Sequence, residues 1–236
     1  MNVATKTANE PWRRRLRLPS YQIREAARYA GVSPQPIAAW HKAGARKHVR
    51  LTDRSQGAAL SYMQLIEVAV VAAARAAGVP FRSIRAARDY VGKQFGSEFP
   101  FAEYRFKTDG KFLLMDYEQF EGESGSDKLL RPDQGGQLAW KIIMGRLQEF
   151  EYEEGGGIVI RWHLDGPKSP ITIDPRISFG APNIGGTPTW VIKGRWESGE
   201  PVSEIAEDFG LSPTNVKRVL RFEGLTGQGR KKRWLH

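Results

Sequence analysis

The segment REAARYAGVSPQPI (24–37) returns 179 positions later as SEIAEDFGLSPTNV (203–216). Glu25 falls on Glu204, Ala27 on Ala206, Gly31 on Gly210, and Ser33-Pro34 on Ser212-Pro213. Val32 against Leu211 and Ile37 against Val216 are conservative. Each copy meets the demands of a helix-turn-helix: a small residue inside the first helix, a glycine in the turn, and apolar residues to fix the crossing. Serine followed by proline is the form of an N-cap with proline at the first helical position. The repeat therefore commits the chain to two short helical pairs, far apart in sequence.

Their outer faces differ. In the first copy Ser33, Gln35 and His41 point outward on the second helix, where a recognition helix meets base edges, and Lys42 follows; an ordinary helical hairpin in a core is the plainer alternative. In the second, Arg28 becomes Glu207 and Tyr29 becomes Asp208, so its first helix is acidic. Its second helix carries Thr214, Asn215, Lys217, Arg218 and Arg221 after Ser212, a set suited either to DNA or to a helical dimer contact.

Charge separates the ends from the middle. Residues 1–60 hold 12 Lys/Arg against 3 Asp/Glu, residues 217–236 hold 7 against 1, and residues 101–216 carry 12 basic and 19 acidic side chains. Basic ends around an acidic module suggest polyanion binding at the ends; solvated charge without a partner is the plainer alternative. With 236 residues, 40% of them hydrophobic, the chain has material for one or two packed domains. No apolar run spans a bilayer, so no membrane partner is expected. MNVATKTANEPWRRRLRLPS lacks the apolar stretch of a secretory signal. Cysteine is absent, which removes thiolate chemistry and suits a cytoplasmic location.

Glycine, proline and periodicity divide the chain into five segments. Residues 1–19 read as a flexible basic arm, with Arg13, Arg14 and Arg15 as phosphate contacts. Residues 20–96 form a DNA-binding domain. Its helices are expected over 21–29, with Ser20 as cap, and over 34–42, 61–77 and 81–95; a basic wing lies at 44–58. Residues 97–175 form a small α+β module. Asp109-Gly110 there predicts a hairpin of 103–108 with 111–117, followed by a helix over 138–149 and strands at 158–162 and 171–173. Residues 176–224 form a helical domain, with helices at 189–197, 202–209 and 213–222, and 225–236 a flexible basic tail. The expected fold class is α+β and mainly helical.

Two family resemblances follow from these residues. The first helical pair, a basic wing, and a long helix ending in AGVPFRSIRAA resemble the winged helix-turn-helix of MerR-type regulators, over about residues 20–92. The resemblance implies that Ser33, Gln35 and His41 face the major groove, while Arg46, Lys47, Arg50 and Arg54 grip phosphate. Pro36 inside the recognition helix departs from that pattern, and thiolate metal sensing is impossible here. Residues 171–212 resemble bacterial antitoxins of VapB type: Ile171, Asp174-Pro175, Gly180 to Pro182, Gly186-Thr187 and Gly199-Glu200 stand where that family's motifs stand. The basic residue usual between the second glycine and the threonine is missing. The resemblance implies an antitoxin that represses its own operon and neutralises a PIN-like ribonuclease toxin. The tail residues Arg230, Lys231, Lys232, Arg233 and Trp234 then contact the toxin's carboxylates, contact DNA, or are merely solvated.

Catalysis finds no support. The histidines at 41, 48, 163 and 236 are scattered, and His163 with Asp165 is too small a set for a metal. No phosphate-binding glycine loop or nucleophile motif occurs. Neither an enzymatic role nor a cofactor or metal is expected. The expected partners are operator DNA, a ribonuclease toxin and a second copy of the chain, since operators present two half-sites. The alternative is a free-standing MerR-like regulator whose central module binds a small effector.

Overall fold

The structure, a computed structural model, describes residues 10–41, 59–111 and 134–225. The wing over 44–58 with Lys42, Arg46, Lys47, Arg50 and Arg54, the strand beyond 111, and the tail residues Arg230 to Trp234 lie outside them. The fold is α+β. The chain divides into two compact units, Met1–Ile160 and Arg161–His236.

The first unit is organised by a helix apolar all round. Helix α4 (Tyr62–Ala76) buries every residue from Leu65 to Ala74, as a helix without a polar face must. Ser61 starts it: its Oγ accepts from Gln64 N (3.3 Å) while Gln64 Oε1 accepts from Ser61 N (2.8 Å). Around α4 pack α2 (Ile23–Ala30), α5 (Phe81–Phe95), α7 (Gln134–Leu147) and a 3-10 turn, Pro100–Ala102. The remaining described helices are α1 (Pro11–Arg15), α3 (Pro34–His41) and α6 (residues 104–111). Strand β1 (Phe150–Tyr152) closes the unit.

One ion pair lies inside this apolar packing. Glu67 of α4 is 1% exposed and Arg88 of α5 is 5% exposed. Arg88 Nε donates to Glu67, whose other oxygen accepts from Phe101 N at 2.8 Å, and Arg88 also donates to the Glu98 carbonyl. Two helices and the 3-10 turn are tied at one point. Burial pushes the Glu67 carboxyl above its ordinary range, and the Arg88 guanidinium opposes that rise.

Three expectations are corrected here. Ser20 does not cap α2; Gln22 does, with its backbone N donating to Glu25 (2.7 Å), because Ser20 and Tyr21 pair instead with Leu60 (2.8 and 2.9 Å). Over residues 10–18 the expected flexible arm is a helical turn, pinned by buried Leu16, whose carbonyl accepts from Met63 N at 3.2 Å. The hairpin around Asp109-Gly110 is replaced over its described part by α6. Phe106, buried against Phe101 and Trp140, lies over Gly110. A Cβ there would stand 2.7 Å from the ring. Glycine serves close approach inside a helix, not a turn.

The five strands follow one another in chain order, β1 to β5, and the division between units falls inside β2 (Val159–His163). In the second unit β2 pairs antiparallel with β3 (Ile171–Ile173), Trp162 opposite Ile173. Strand β3 pairs with β4 (Asn183–Ile184), and β4 with β5 (Thr187–Pro188). Asn183 is buried and shapes this end of the sheet: Nδ2 donates to the carbonyls of Thr172 (3.1 Å) and Ala181 (3.3 Å), and Oδ1 accepts from Gly186 N (3.3 Å). Helices α8 (Thr189–Glu197), α9 (Val202–Asp208) and α10 (Pro213–Phe222) pack about Ile192, Ile205, Val216, Val219 and Leu220, all buried. The helix expected over 138–149, both strands at 158–162 and 171–173, and all three C-terminal helices are present, within a few residues at their ends.

Candidate nucleic-acid interface

The repeat survives as geometry. In the first pair, Gly31 takes the left-handed conformation (φ 72°) that ends α2. Gly31 N then donates to Arg28 O (3.3 Å) and Val32 N to Ala27 O (3.0 Å). In the second pair, Gly210 (φ 61°) follows α9. Gly210 N donates to Glu207 O (3.1 Å) and Leu211 N to Ala206 O (2.8 Å). Shifted by 179 positions, these are the same two bonds. Both crossings are sealed alike, by Ala26, Ala27 and Ile37 in one and Ile205, Ala206 and Val216 in the other, each at most 3% exposed. Ser212 Oγ accepts from Asn215 N at 3.1 Å, so the serine before proline caps α10 as its spacing predicts.

The two pairs present different surfaces. Ser33 and Gln35 are exposed at the start of α3; the side chains of residues 38–41, Trp40 and His41 among them, fall outside the description. Arg14 of α1 is exposed, but Arg13 is held by Glu153 and also lies 3.8 Å from Glu10, and Arg15 is half-buried. The three arginines of the triplet therefore differ in pairing and exposure. On α10, Ser212, Thr214, Lys217 and Arg221 are exposed, while Asn215 and Arg218 are half-buried. Thr214, Lys217 and Arg221 stand at i, i+3 and i+7, which places them on one stripe.

The acidic face of α9 is partly neutralised. Arg195 of α8 donates to Glu200 (Nε, 2.6 Å) and lies 2.6 Å from Asp208, with its guanidinium 5.3 Å from the Phe209 ring centre. Hydrogen bonds to Glu200 and Asp208 raise the affinity of Arg195 for its proton further. The arginine clasps α8 to the first helix of the second pair and lowers the negative charge beside α10.

Sequence reasoning overlooked a second cluster. Asp174, fully buried after β3, accepts from Arg176 N (2.9 Å), Nε (2.9 Å) and Nη2 (2.6 Å), and from Arg161 Nε (3.2 Å). Burial alone pushes its carboxyl up, but the hydrogen bonds from Arg176 and the charges of Arg176 and Arg161 outweigh this and hold it below its ordinary value. The Asp-Pro step was visible in the sequence; the second arginine, 13 residues upstream of the aspartate, had no local signal. His163 Nδ1 donates to the Ser169 carbonyl (2.7 Å), a bond that ties the β2–β3 connection. Among the described residues no three His, Asp or Glu side chains gather as a metal would need, and no described helix is long and apolar enough to cross a membrane.

Residues 171–222 match the model of a family described as a protein of unknown function, DUF433. Over 228 residues the chain is 27% identical to a Mycobacterium tuberculosis protein named "Putative antitoxin VapB45", covering 87% of this chain and 94% of that protein. The crystal structure of Rv2018 from Mycobacterium tuberculosis shares the fold, with a TM-score of 0.70 at 23% identity over 87% of this chain and 99% of that one.

Proposed function

We propose that this chain is a DNA-binding antitoxin that represses its own operon as a homodimer and neutralises a PIN-like ribonuclease encoded beside it. The observation that carries the reading is the pair of helix-turn-helix crossings with identical turn bonds, within a chain similar along nearly its whole length to a protein named as a putative antitoxin. The exposed stripe Thr214, Lys217 and Arg221 on α10 supplies what a recognition helix needs: cations for phosphate and a small polar group for a base edge. Ser33 and Gln35 supply the polar half of that set on α3, and the basic residues Lys42, Arg46, Lys47, Arg50 and Arg54 follow it in sequence. A carboxylate-rich nuclease site complements the cations Arg230, Lys231, Lys232 and Arg233 of the tail, since guanidinium pairs bidentately with carboxylate.

Titration of the purified chain against its own promoter at several salt concentrations tests the DNA half. Counterion release predicts a linear fall of log K with log salt, and Lys217→Ala or Arg221→Ala should each flatten the slope by about 0.9. Both side chains are exposed, so folding stability should barely change. A slope indifferent to both substitutions removes α10 from the interface. Co-expression with the adjacent gene tests the other half: a neighbour that is harmless without this chain removes the antitoxin reading.

A further inference from the structure

The helix that carries Thr214, Lys217 and Arg221 is held at both ends. At its start Ser212 Oγ accepts from Asn215 N. At its end Glu223 is the C-cap of α10, and its Oε1 accepts a hydrogen bond from the Thr189 hydroxyl at 2.5 Å. Thr189 is the first residue of α8 and is 1% exposed; its N donates to the Pro182 carbonyl at 2.9 Å. Pro182 precedes Asn183, whose side chain donates to the carbonyls of Thr172 and Ala181. A run of short contacts therefore leads from the sheet, through one buried hydroxyl, to the end of α10.

Helix electrostatics shows which element gains from the arrangement. A carboxylate at the end of α10 meets the negative pole of that helix, which disfavours it. The same carboxylate lies at the first residue of α8, whose N-cap, Pro188, makes no side-chain cap bond, and there an anion is favoured. The bond thus joins two helices rather than finishing one. It lies outside the helix-turn-helix crossing, which Ile205, Ala206 and Val216 seal. Shifted back by 179 positions, Glu223 falls on Gly44 and Thr189 on Glu10, so the first pair has neither side chain. Glu223 follows Arg221 by two residues, about 200° round a helix, so the two lie on opposite sides of α10. The side that meets α8 leaves Arg221 exposed.

We infer that Thr189 and Glu223 are positioning residues: their hydrogen bond fixes the angle at which α10 presents Thr214, Lys217 and Arg221 to the operator. The inference rests on the preceding reading of α10 as a DNA-contacting helix. Phosphate contacts carry no sequence information and survive a small rotation of the helix, whereas a base-edge contact needs a fixed register. Loosening the end of α10 therefore costs sequence preference before it costs general affinity.

The test measures the full chain against two duplexes, its own promoter and an unrelated sequence of equal length, at fixed salt, with thermal melting alongside. Thr189→Val removes the hydroxyl at nearly constant shape and leaves Glu223 itself unchanged. It should lower promoter affinity about tenfold, while affinity for the unrelated duplex changes by less than about twofold. Thr189→Ser keeps the hydroxyl and should restore the preference. Glu223→Gln keeps an acceptor and drops the charge, so it should shift both affinities together and leave their ratio at the wild-type value. Glu223→Ala, at a half-buried position that tolerates truncation, should lower the ratio as Thr189→Val does, and the two changes combined should lower it no further. A wild-type ratio in both Thr189→Val and Glu223→Ala overturns the positioning role, whatever the melting temperatures, and leaves the DNA reading intact. A ratio that falls as far in Thr189→Ser as in Thr189→Val, or as far in Glu223→Gln as in Glu223→Ala, overturns it too. A wild-type chain with no preference for its promoter overturns the DNA reading and this inference together.

Discussion

Replacing Asp174 by asparagine isolates one carboxylate in a site of known donors. The side chain keeps its size but loses its charge, and its new NH2 group faces N–H donors of Arg161 and Arg176 that have no lone pairs to offer. Breaking a fully buried ion pair typically costs 3–5 kcal/mol. Here Asp174 is buried but the Arg161 and Arg176 side chains are about a third exposed, so water screens part of the exposed cations' loss. The expected destabilisation is therefore about 2–3 kcal/mol at neutral pH, below the fully buried range. Urea unfolding followed by circular dichroism measures it as a lower midpoint at unchanged slope. The pH dependence has a definite sign. Because the folded carboxyl titrates below its ordinary value, its stabilisation is present above the unfolded value of about 3.9 and fades as pH falls through the lower folded value. The gap between wild type and Asp174→Asn should therefore close below about pH 4. A gap under about 1 kcal/mol at pH 7, or one that persists undiminished in acid, would refute the argument.

Other perturbations address the remaining tight points of the fold. Arg88→Met alone should destabilise the first unit by about 3–5 kcal/mol, increasingly as pH rises from 4.5, because Glu67 then sits buried without its cation; the double change Glu67→Leu with Arg88→Met should cost much less than the sum of the single changes. Equal and additive costs in a urea double-mutant cycle would show that the pair is not coupled. Gly31→Ala and Gly210→Ala should each cost about 1 kcal/mol from the left-handed backbone alone, since a Cβ at either position meets nothing within 4 Å; a cost of several kcal/mol at either glycine would point to steric contact instead.

The interactions that fix the helix ends are local. Ser61 with Gln64, Ser212 with Pro213, and the glycines at 31 and 210 act within one turn of chain, so their consequences are written where they stand. The same locality misled at Asp109-Gly110. That dipeptide favours a hairpin in isolation, but Phe106 gains more by burial against Phe101 and Trp140 in a helix, with Gly110 leaving room for its ring. Ser20 failed as a cap for a related reason: its backbone is engaged by Leu60, forty residues away.

The candidate surfaces divide in the same way. Of the set named on α10, helical spacing orders Thr214, Lys217 and Arg221 on one stripe, while the half-burial of Asn215 and Arg218 depends on packing. Arg13, Arg14 and Arg15 looked equivalent in sequence, and tertiary contact gives Arg13 an acidic partner in Glu153. The cluster of Arg161, Asp174 and Arg176 exists only because β2 and β3 pair antiparallel, bringing an arginine 13 residues upstream onto the aspartate. Phe179 carried no mark of its exposure or of its left-handed backbone, since neither is a property of the residue type. Sequence alone determined the repeat and most of the helices, because those rest on interactions a few residues apart. Tertiary structure decided which charges are neutralised and which rings face water, because charge pairing and burial depend on residues distant in sequence.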